Sequence, residues 1–339
     1  MIRSDGFAGV ERYVSRLAGQ QADEGDEVIV IGGDQHRMAS ALHGSDKQVG
    51  LRCGDSMTDV VAAVTRLSRG ADVVHAHMTA AELGAVLRVP RRRQVPLIST
   101  RHFASRRGTG RLGRVAGGLA AWAVDGQIAV SHYVADHIEG SSTVVHPGVD
   151  RAPDATPAAT RERVVLVVQR LEVEKQTDVA VRAFAASPLP TSGWRLQLAG
   201  DGARRGALTA LAGQLGVAGA TDFLGVRDDI PELMSRAAIL LASPPAEPLG
   251  LSVLEAMAAG LPVVASAAGG HLETLAADPS TMFPPGDAAA AAVVLTALAE
   301  DPRHRDVLAA AGQQRQRTEF TLTAQAAGTR AVYLDLLSR

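Results

Sequence analysis

Short unbroken runs of Val, Ile, Leu and Ala recur along the chain. Between them, apolar positions return every three or four residues. The runs predict strands and the spaced positions predict helices. In the first half, strands are expected at Val28–Ile31, Val49–Arg52, Asp72–His75, Leu97–Thr100, Gly126–Val130 and Thr143–His146, with intervening helices including Thr58–Ser68 and Thr79–Leu87. The second half repeats the scheme, with strands at Val164–Val168, Arg195–Ala199, Thr221–Leu224, Ile239–Ala242 and Pro262–Ser266. Its helices are expected near Thr177–Ala186, Ala203–Leu215, Leu251–Ala259 and Ala288–Ala299. Strands that are apolar throughout, rather than at alternate positions, belong to parallel sheets covered by helices on both faces.

The stretch Asp150–Thr160 is rich in Pro, Ala and Thr and has no large apolar residue, so it reads as a linker. The expected organisation is α/β. Residues 1–150 form one doubly wound domain, 151–162 a linker, and 163–318 a second such domain. A terminal helix over 319–339 is expected to pack back toward the first domain. Sheets of this class bind ligands outside the carboxyl ends of their strands, so two facing domains would make a cleft.

Composition narrows the class. The 339 residues are 46% hydrophobic and 21% charged, with a formal net charge of -2. That is a globular profile without the basic excess of a nucleic-acid binder. Cys53 is the sole cysteine, which rules out an intramolecular disulfide and suits the cytosol. No apolar run approaches the ~18 residues that span a bilayer. Lys47 and Lys175 are the two lysines among 34 basic residues; Lys47 reads as a plain loop residue.

Two segments concentrate candidate chemistry. In SPPAEPLGLSVLEAMAAGLPVVAS, residues 243–266, Glu247 and Glu255 stand eight apart around Pro248 and Gly250. Gly250 permits a tight entry into a helix whose first amides, at Gly250 and Leu251, would attract phosphate. Glu255 would lie about a turn inside that helix, where a carboxylate can grip vicinal hydroxyls. Either glutamate alone would read as a helix-dipole partner or a solvated side chain. In VVLVVQRLEVEKQTDVAVRAF, residues 164–184, a strand ends at Gln169-Arg170-Leu171, and Lys175 follows near a helix start. Two cations there suit a diphosphate; the plainer alternative is surface pairing with Glu172 or Glu174.

Together these segments resemble glycosyltransferase family 4, whose fold is GT-B, and the resemblance extends over nearly the whole chain. It implies that Arg170 and Lys175 hold a donor diphosphate with the Gly250 and Leu251 amides, that Glu247 meets the donor sugar, and that Glu255 meets the ribose. LAGDG, residues 198–202, resembles the strand-end turn of the family, placing Gly200 by the nucleoside. FLGVRDDIPELM, residues 223–234, resembles its base-binding stretch and places Val226 beside the base. AAGGHLETL, 267–275, and FPPGD, 283–287, resemble its late loops, while DVVHAH, ISTRHF and AVSHYVADHI follow its first half. His102 would then sit near the transferred sugar, although alone it reads as a packed loop-end histidine. His75 and His77 read as strand packing or cleft wall; no carboxylate stands at a spacing that would make them a metal site. The chain departs from the family at Gln169 and Gln176, where glycine is usual, and at Leu249, where phenylalanine is usual.

The opening MIRSDGFAGVERYV places a Gly-containing loop, Gly6 to Gly9, before a helix from about Val10. Ala8-Gly9-Val10-Glu11 stands where the family has Gly-Gly-x-Glu, which implies that Gly9 meets the donor phosphate in the reaction cleft. Met1–Arg3 then reads as the tail of a first strand. The expectation is a truncated strand, with the natural start roughly ten residues upstream.

From Leu83 to Val124 there are nine arginines and no Asp or Glu. Such a block reads as a solvated face or flexible loop, or as a peripheral contact of residues 88–114 with an anionic membrane face. The resemblance implies a metal-independent, retaining hexosyl transfer from a UDP- or GDP-sugar to a hydroxyl of a glycan, lipid or small molecule, with no cofactor beyond the nucleotide sugar. The rival expectations are a GT-B epimerase or hydrolase and an inactive, glycosyltransferase-derived binding protein.

Overall fold

The structure, a computed structural model, describes residues 1–2, 9–42, 49–52, 54, 56–86, 95–108, 110–276 and 278–339. The chain divides into two compact units: Met1–Gly148 with Thr321–Arg339, and Val149–Phe320.

The first unit runs α1 (Gly9–Asp23), β1 (Val28–Ile31), α2 (Gln35–Ala41), β2 (Val49–Arg52), α3 (Met57–Leu67), β3 (Val74–His77), α4 (Thr79–Val86) and β4 (Leu97–Arg101). It continues with α5 (Gly110–Ala123), β5 (Gly126–Ala129), α6 (His132–His137) and β6 (Thr143–Val144). β1 pairs with β2, and β3, β4, β5 and β6 form a second sheet in that order, all parallel. Ile2 lies between β1 and β3: its N–H donates to Ile31 O at 2.9 Å, and Met1 O accepts from His77 N at 2.9 Å. Arg3, the remaining residue of the expected strand tail, lies outside the described residues.

One strand is displaced from its sequence-based position. β3 is Val74–His77 rather than Asp72–His75, in register Val74 to Leu97 and His77 to Thr100. Asp72 and Val73 precede the ladder, while His75 and His77, two apart, share one face.

The second unit runs β7 (Val164–Val168), α7 (Thr177–Ala186), β8 (Arg195–Ala199), α8 (Arg205–Gln214), β9 (Thr221–Gly225), α9 (Ile230–Arg236) and β10 (Ile239–Ala242). It closes with α10 (Leu251–Ala258), β11 (Val263–Ser266), α11 (His271–Thr274), β12 (Met282–Phe283), α12 (Ala288–Glu300) and α13 (Pro302–Glu319). The sheet order is β12-β11-β10-β7-β8-β9, all parallel. In order of appearance this is 3-2-1-4-5-6, with the reversal between β7 and β10. The crevice at that reversal, beyond the carboxyl ends of the two strands, is where such a sheet receives a ligand.

The apolar run of β7 is used on both faces. Val165 and Val167 pack with Phe184, Leu196 and Leu198, while Val164 and Leu166 pack with Leu240, Val253 and Leu254. Strand side chains alternate across a sheet, so a strand covered on both faces needs apolar residues at every position.

Residues 151–162 are fastened to the second unit. The Arg161 guanidinium donates to the carbonyls of Met234, Ala237, Ala259 and Gly260, all within 3.0 Å. These carbonyls lie at the ends of α9 and α10, where a cation compensates the unpaired acceptors. The last helix, α14 (Leu322–Leu337), packs on the first unit. There Gln325 Oε1 accepts from Gly148 N at 2.7 Å, and Arg330 pairs with Asp26 at 2.9 Å.

Candidate active site

At the carboxyl ends of β7 and β8 two turns press together. Gly200 has φ +146°, and a Cβ there would come 2.0 Å from Gln169 O. A Cβ on Gly202 would come 2.5 Å from Leu171 O. Leu171 N donates to Asp201 O at 2.9 Å, and Gly200 N donates to Gly225 O at 2.8 Å. The loops after β7, β8 and β9 are therefore tied through their backbones, and only glycine allows the approach. Val226, next after Gly225, projects into solvent with 71% of its surface exposed.

Gln169 fixes the loop that carries Lys175. Its Nε2 lies 2.8 Å from Thr177 Oγ1 and 3.2 Å from both Lys175 O and Ser243 Oγ. Ser243 Oγ also donates to Lys175 O at 3.0 Å, so the ends of β7 and β10 are joined through side chains. Lys175 closes a 3-10 turn, and α7 begins at Thr177. Between them Gln176 adopts a left-handed conformation, φ 45° and ψ 44°, at a position where the resemblance leads one to expect glycine.

Across the crevice, Lys175 Nζ lies 2.6 Å from Glu247 Oε2, with both side chains less than one-fifth exposed. Arg170 instead reaches Glu174 at 2.7 Å, in the solvent-facing i,i+4 pairing that the sequence left open. The Glu247 loop is backed by two glycines. Gly270 N donates to Glu247 O at 2.8 Å. A Cβ on Gly269 would meet Glu247 O at 2.4 Å, and one on Gly270 would meet Leu249 Cα at 2.3 Å. Leu249, in place of the family's phenylalanine, is buried with Val253 and Leu254.

Gly250, at φ 96°, turns the chain into α10 and, as a glycine, brings no side chain of its own to cap that helix. The first amides of a helix have no intrahelical acceptor, so this start is an anion-attracting end. Glu255 is the fifth residue of α10 and half-buried. Sequence reasoning assigned no role to His271. It is buried, with Nδ1 3.1 Å from Ser266 O, and its ring lies 3.3 Å from where a Gly250 Cβ would be. Burial holds its pKa down, against the opposing pull of Glu247. Its only sequence signal was its place after Gly269-Gly270.

In the first unit, His102 follows β4, and its Nε2 lies 3.1 Å from His77 Nδ1. His75 bridges Thr100 Oγ1 at 2.7 Å and the Tyr333 hydroxyl at 2.6 Å. The Tyr13 ring of α1 stands edge-on to His102, centroids 4.7 Å apart. Burial, and behind it the Arg101 guanidinium, pushes the His102 pKa down to about 3. Burial likewise holds His75 and His77 well below their ordinary value, so all three rings are neutral. Among the described residues no three His, Cys, Asp or Glu side chains gather as a metal-binding group. Gly9 is the exposed first residue of α1; Gly6, Phe7 and Ala8 lie outside the described residues.

The arginine-rich run is not uniformly a solvated face or loop. Arg107 is buried and pairs with buried Glu82 at 2.5 Å and with Glu139 at 2.7 Å. Arg101, also buried, reaches Glu139 at 3.1 Å. Carboxylates outside the run, brought in by the fold, supply the countercharge. Arg88, Arg91, Arg92 and Arg93 lie outside the described residues.

Comparison with known proteins agrees with this fold. The family model described as Glycosyl transferases group 1 matches residues 149–315, and that described as Glycosyltransferase Family 4 matches residues 7–152. A glycogen synthase of Mycobacterium tuberculosis (strain CDC 1551 / Oshkosh) is 32% identical over 285 residues, covering 78% of this chain and 68% of that protein. The chain belongs to the GT-B glycosyltransferases. The exopolysaccharide phosphotransferase SCO2592 of Streptomyces coelicolor is 32% identical over 154 residues; the match takes in 43% of this glycosyltransferase and 16% of that protein. The structure of Anabaena Alr3699/HepE in complex with UDP and glucose superposes with a TM-score of 0.80 at 20% identity, covering 98% of each chain. At that identity the likeness speaks for the fold of the glycosyltransferase alone.

Proposed function

We propose that this glycosyltransferase moves a hexosyl group from a UDP- or GDP-sugar to a hydroxyl of a glycan, lipid or small-molecule acceptor, with retention at the anomeric carbon and without a divalent metal. The observation that carries the reading is the Lys175–Glu247 pair at the ends of β7 and β10, together with the glycine-led start of α10.

As the donor bond breaks, negative charge develops on the departing diphosphate. Lys175, Arg170 and the amides of Gly250 and Leu251 supply positive charge and donors, which act most strongly when held in place beforehand. Those groups do the work otherwise given to a metal ion. Glu247, parted from Lys175 by the diphosphate, is left to accept a hydrogen bond from a sugar hydroxyl. Glu255 takes the ribose hydroxyls, and Gly200 and Val226 offer backbone and surface to the nucleoside. In the first unit, Gly9 at the start of α1 is assigned to the phosphate. His102, being neutral, offers a hydrogen bond to a sugar hydroxyl without adding positive charge near a centre that is itself becoming positive.

The anomeric carbon–oxygen bond to the phosphate breaks, and the acceptor oxygen bonds to that carbon from the same face. The acceptor's proton passes to the leaving phosphate oxygen. The test is incubation of the purified chain with UDP- and GDP-sugars and a pool of hydroxyl acceptors from cell extract, with products read by mass and by anomeric configuration in NMR. A new glycosidic linkage of the donor's configuration supports the reading. Free sugar alone would make the chain a hydrolase, an isomerised nucleotide sugar an epimerase, and no turnover with intact binding a binding protein.

A further inference from the structure

Val115, Leu119 and Trp122 of α5 are 64%, 59% and 71% exposed, and their spacing puts them on one face of that helix. Arg111 is exposed on the same face, Arg114 is exposed at its edge, and Arg106 is exposed just before the helix. The opposite face is locked to the protein. Ala120 is fully buried, and a Cβ on Gly117 would come 2.7 Å from Arg107 Cβ. Arg107 is held in turn by Glu82 and Glu139. The helix cannot roll its apolar ridge inward without breaking a buried ion-pair network.

We propose that this face of α5 docks on an anionic lipid surface. Val115, Leu119 and Trp122 enter the boundary between headgroups and acyl chains, while Arg106, Arg111 and Arg114 meet lipid phosphates. A helix that is apolar and cationic on one side, with small residues packed on the other, has the character of an interfacial helix lying in the membrane plane. Charge decides the occupant. No Asp or Glu occurs from Leu83 to Val124, so anionic headgroups complement Arg106, Arg111 and Arg114, while Asp125, Glu139 and Asp335 lie near Trp122 at the other end of the helix. Trp is well suited to the interface, with an apolar ring and one polar N–H.

Flotation of the intact chain with vesicles of phosphatidylcholine, or of equal parts phosphatidylcholine and phosphatidylglycerol, tests this without any sugar nucleotide. Its failure would leave the donor-site reading standing. Binding to the anionic vesicles alone is expected, with a blue shift in tryptophan emission, since the other tryptophan, Trp194, is already buried. The Leu119→Ser/Trp122→Ser double variant should lose at least tenfold in vesicle affinity at unchanged melting temperature. Arg111→Ala/Arg114→Ala should weaken binding most at low salt. Equal binding to both vesicle types, no binding to either, full binding by the serine variant, or a solution dimer that shields Trp122 from a soluble quencher would overturn the proposal.

Discussion

Lys175 and Glu247, 72 positions apart in sequence, meet in a 2.6 Å ion pair between the loops that follow β7 and β10. On the proposed function, a diphosphate competes with Glu247 for this lysine, and the two residues then part to different portions of the donor. Lys175→Ala should therefore weaken nucleoside diphosphate binding at least tenfold, about 1.4 kcal/mol. Glu247→Gln should leave that affinity unchanged or tighter while lowering kcat. Calorimetry and turnover on the same variants separate the two, and equal loss of diphosphate affinity in both would rule out this division of roles.

Gly270→Ala places a methyl group 2.3 Å from Leu249 Cα, against backbone that cannot yield cheaply. The expected cost is ~2–4 kcal/mol of stability in the second unit, with weakened diphosphate binding because the Leu249–Gly250 turn that carries the proposed phosphate amides moves. Gly206→Ala is the control, since a methyl there meets nothing within 4 Å. A Gly270→Ala chain as stable as the control would mean that the close backing of this loop is not as described.

Gln176 holds a left-handed backbone, and its buried Oε1 has no hydrogen-bond partner among the described residues. A non-glycine residue in that conformation costs ~1–2 kcal/mol, offset in part by the ~0.5–1 kcal/mol of extra backbone entropy that glycine loses on folding. Gln176→Gly should stabilise the second unit slightly, by up to ~1 kcal/mol, and Gln176→Val should destabilise it. The reverse order in a urea titration would contradict the account.

The neutral histidines of the first unit set a pH dependence. Their folded pKa values lie below the ordinary 6.5, that of His102 at about 3. As pH falls through 6.5 the unfolded chain takes up protons that the folded chain refuses. Stability is thus fully present above that pH and declines below it, toward the folded values, by at most ~1.4 kcal/mol per pH unit for each histidine. Urea midpoints of the first unit at neutral and mildly acidic pH should show this fall, with a shallower slope in His102→Gln. An identical slope in that variant would show that His102 takes up its proton as readily in the folded chain as in the unfolded one.

The buried Glu82–Arg107 pair should be costly to break on one side. Arg107→Met leaves the Glu82 carboxylate uncompensated and should cost ~3–5 kcal/mol. Replacing both, as Glu82→Gln with Arg107→Met, should recover most of that loss in a double-mutant cycle. Additive losses would mean that the two residues are not coupled.

What could be read in advance follows from how local each signal is. β1 and β7 are unbroken Val/Ile/Leu stretches, so Val28–Ile31 and Val164–Val168 stand where the pattern put them. β3 was shifted because His75 and His77 break the apolar run, and the ladder with β4 sets the register instead. α5, with Gly110, Gly113, Gly117 and Gly118 in 14 residues, has poor helix propensity; it forms where Gly117 lets it pack against Arg107. At the site, Glu247, Gly250, Glu255, Arg170 and Lys175 were legible as motif residues. Their pairing was not, because no local spacing shows that Lys175 meets Glu247 while Arg170 turns to Glu174. Nor did any spacing show that Gln169 would staple the Lys175 loop, or that His271 would pack beneath Gly250.

The central claim is a donor site in which Lys175 and the start of α10 hold a nucleoside diphosphate without a metal. Isothermal titration of UDP and of GDP into the intact chain, in buffer containing EDTA, tests it most directly. One of the two is expected to bind with micromolar affinity, on the order of -8 kcal/mol, and Lys175→Ala to weaken that binding at least tenfold. Binding of neither nucleotide, binding that appears only when a divalent metal is restored, or full binding by Lys175→Ala would contradict it.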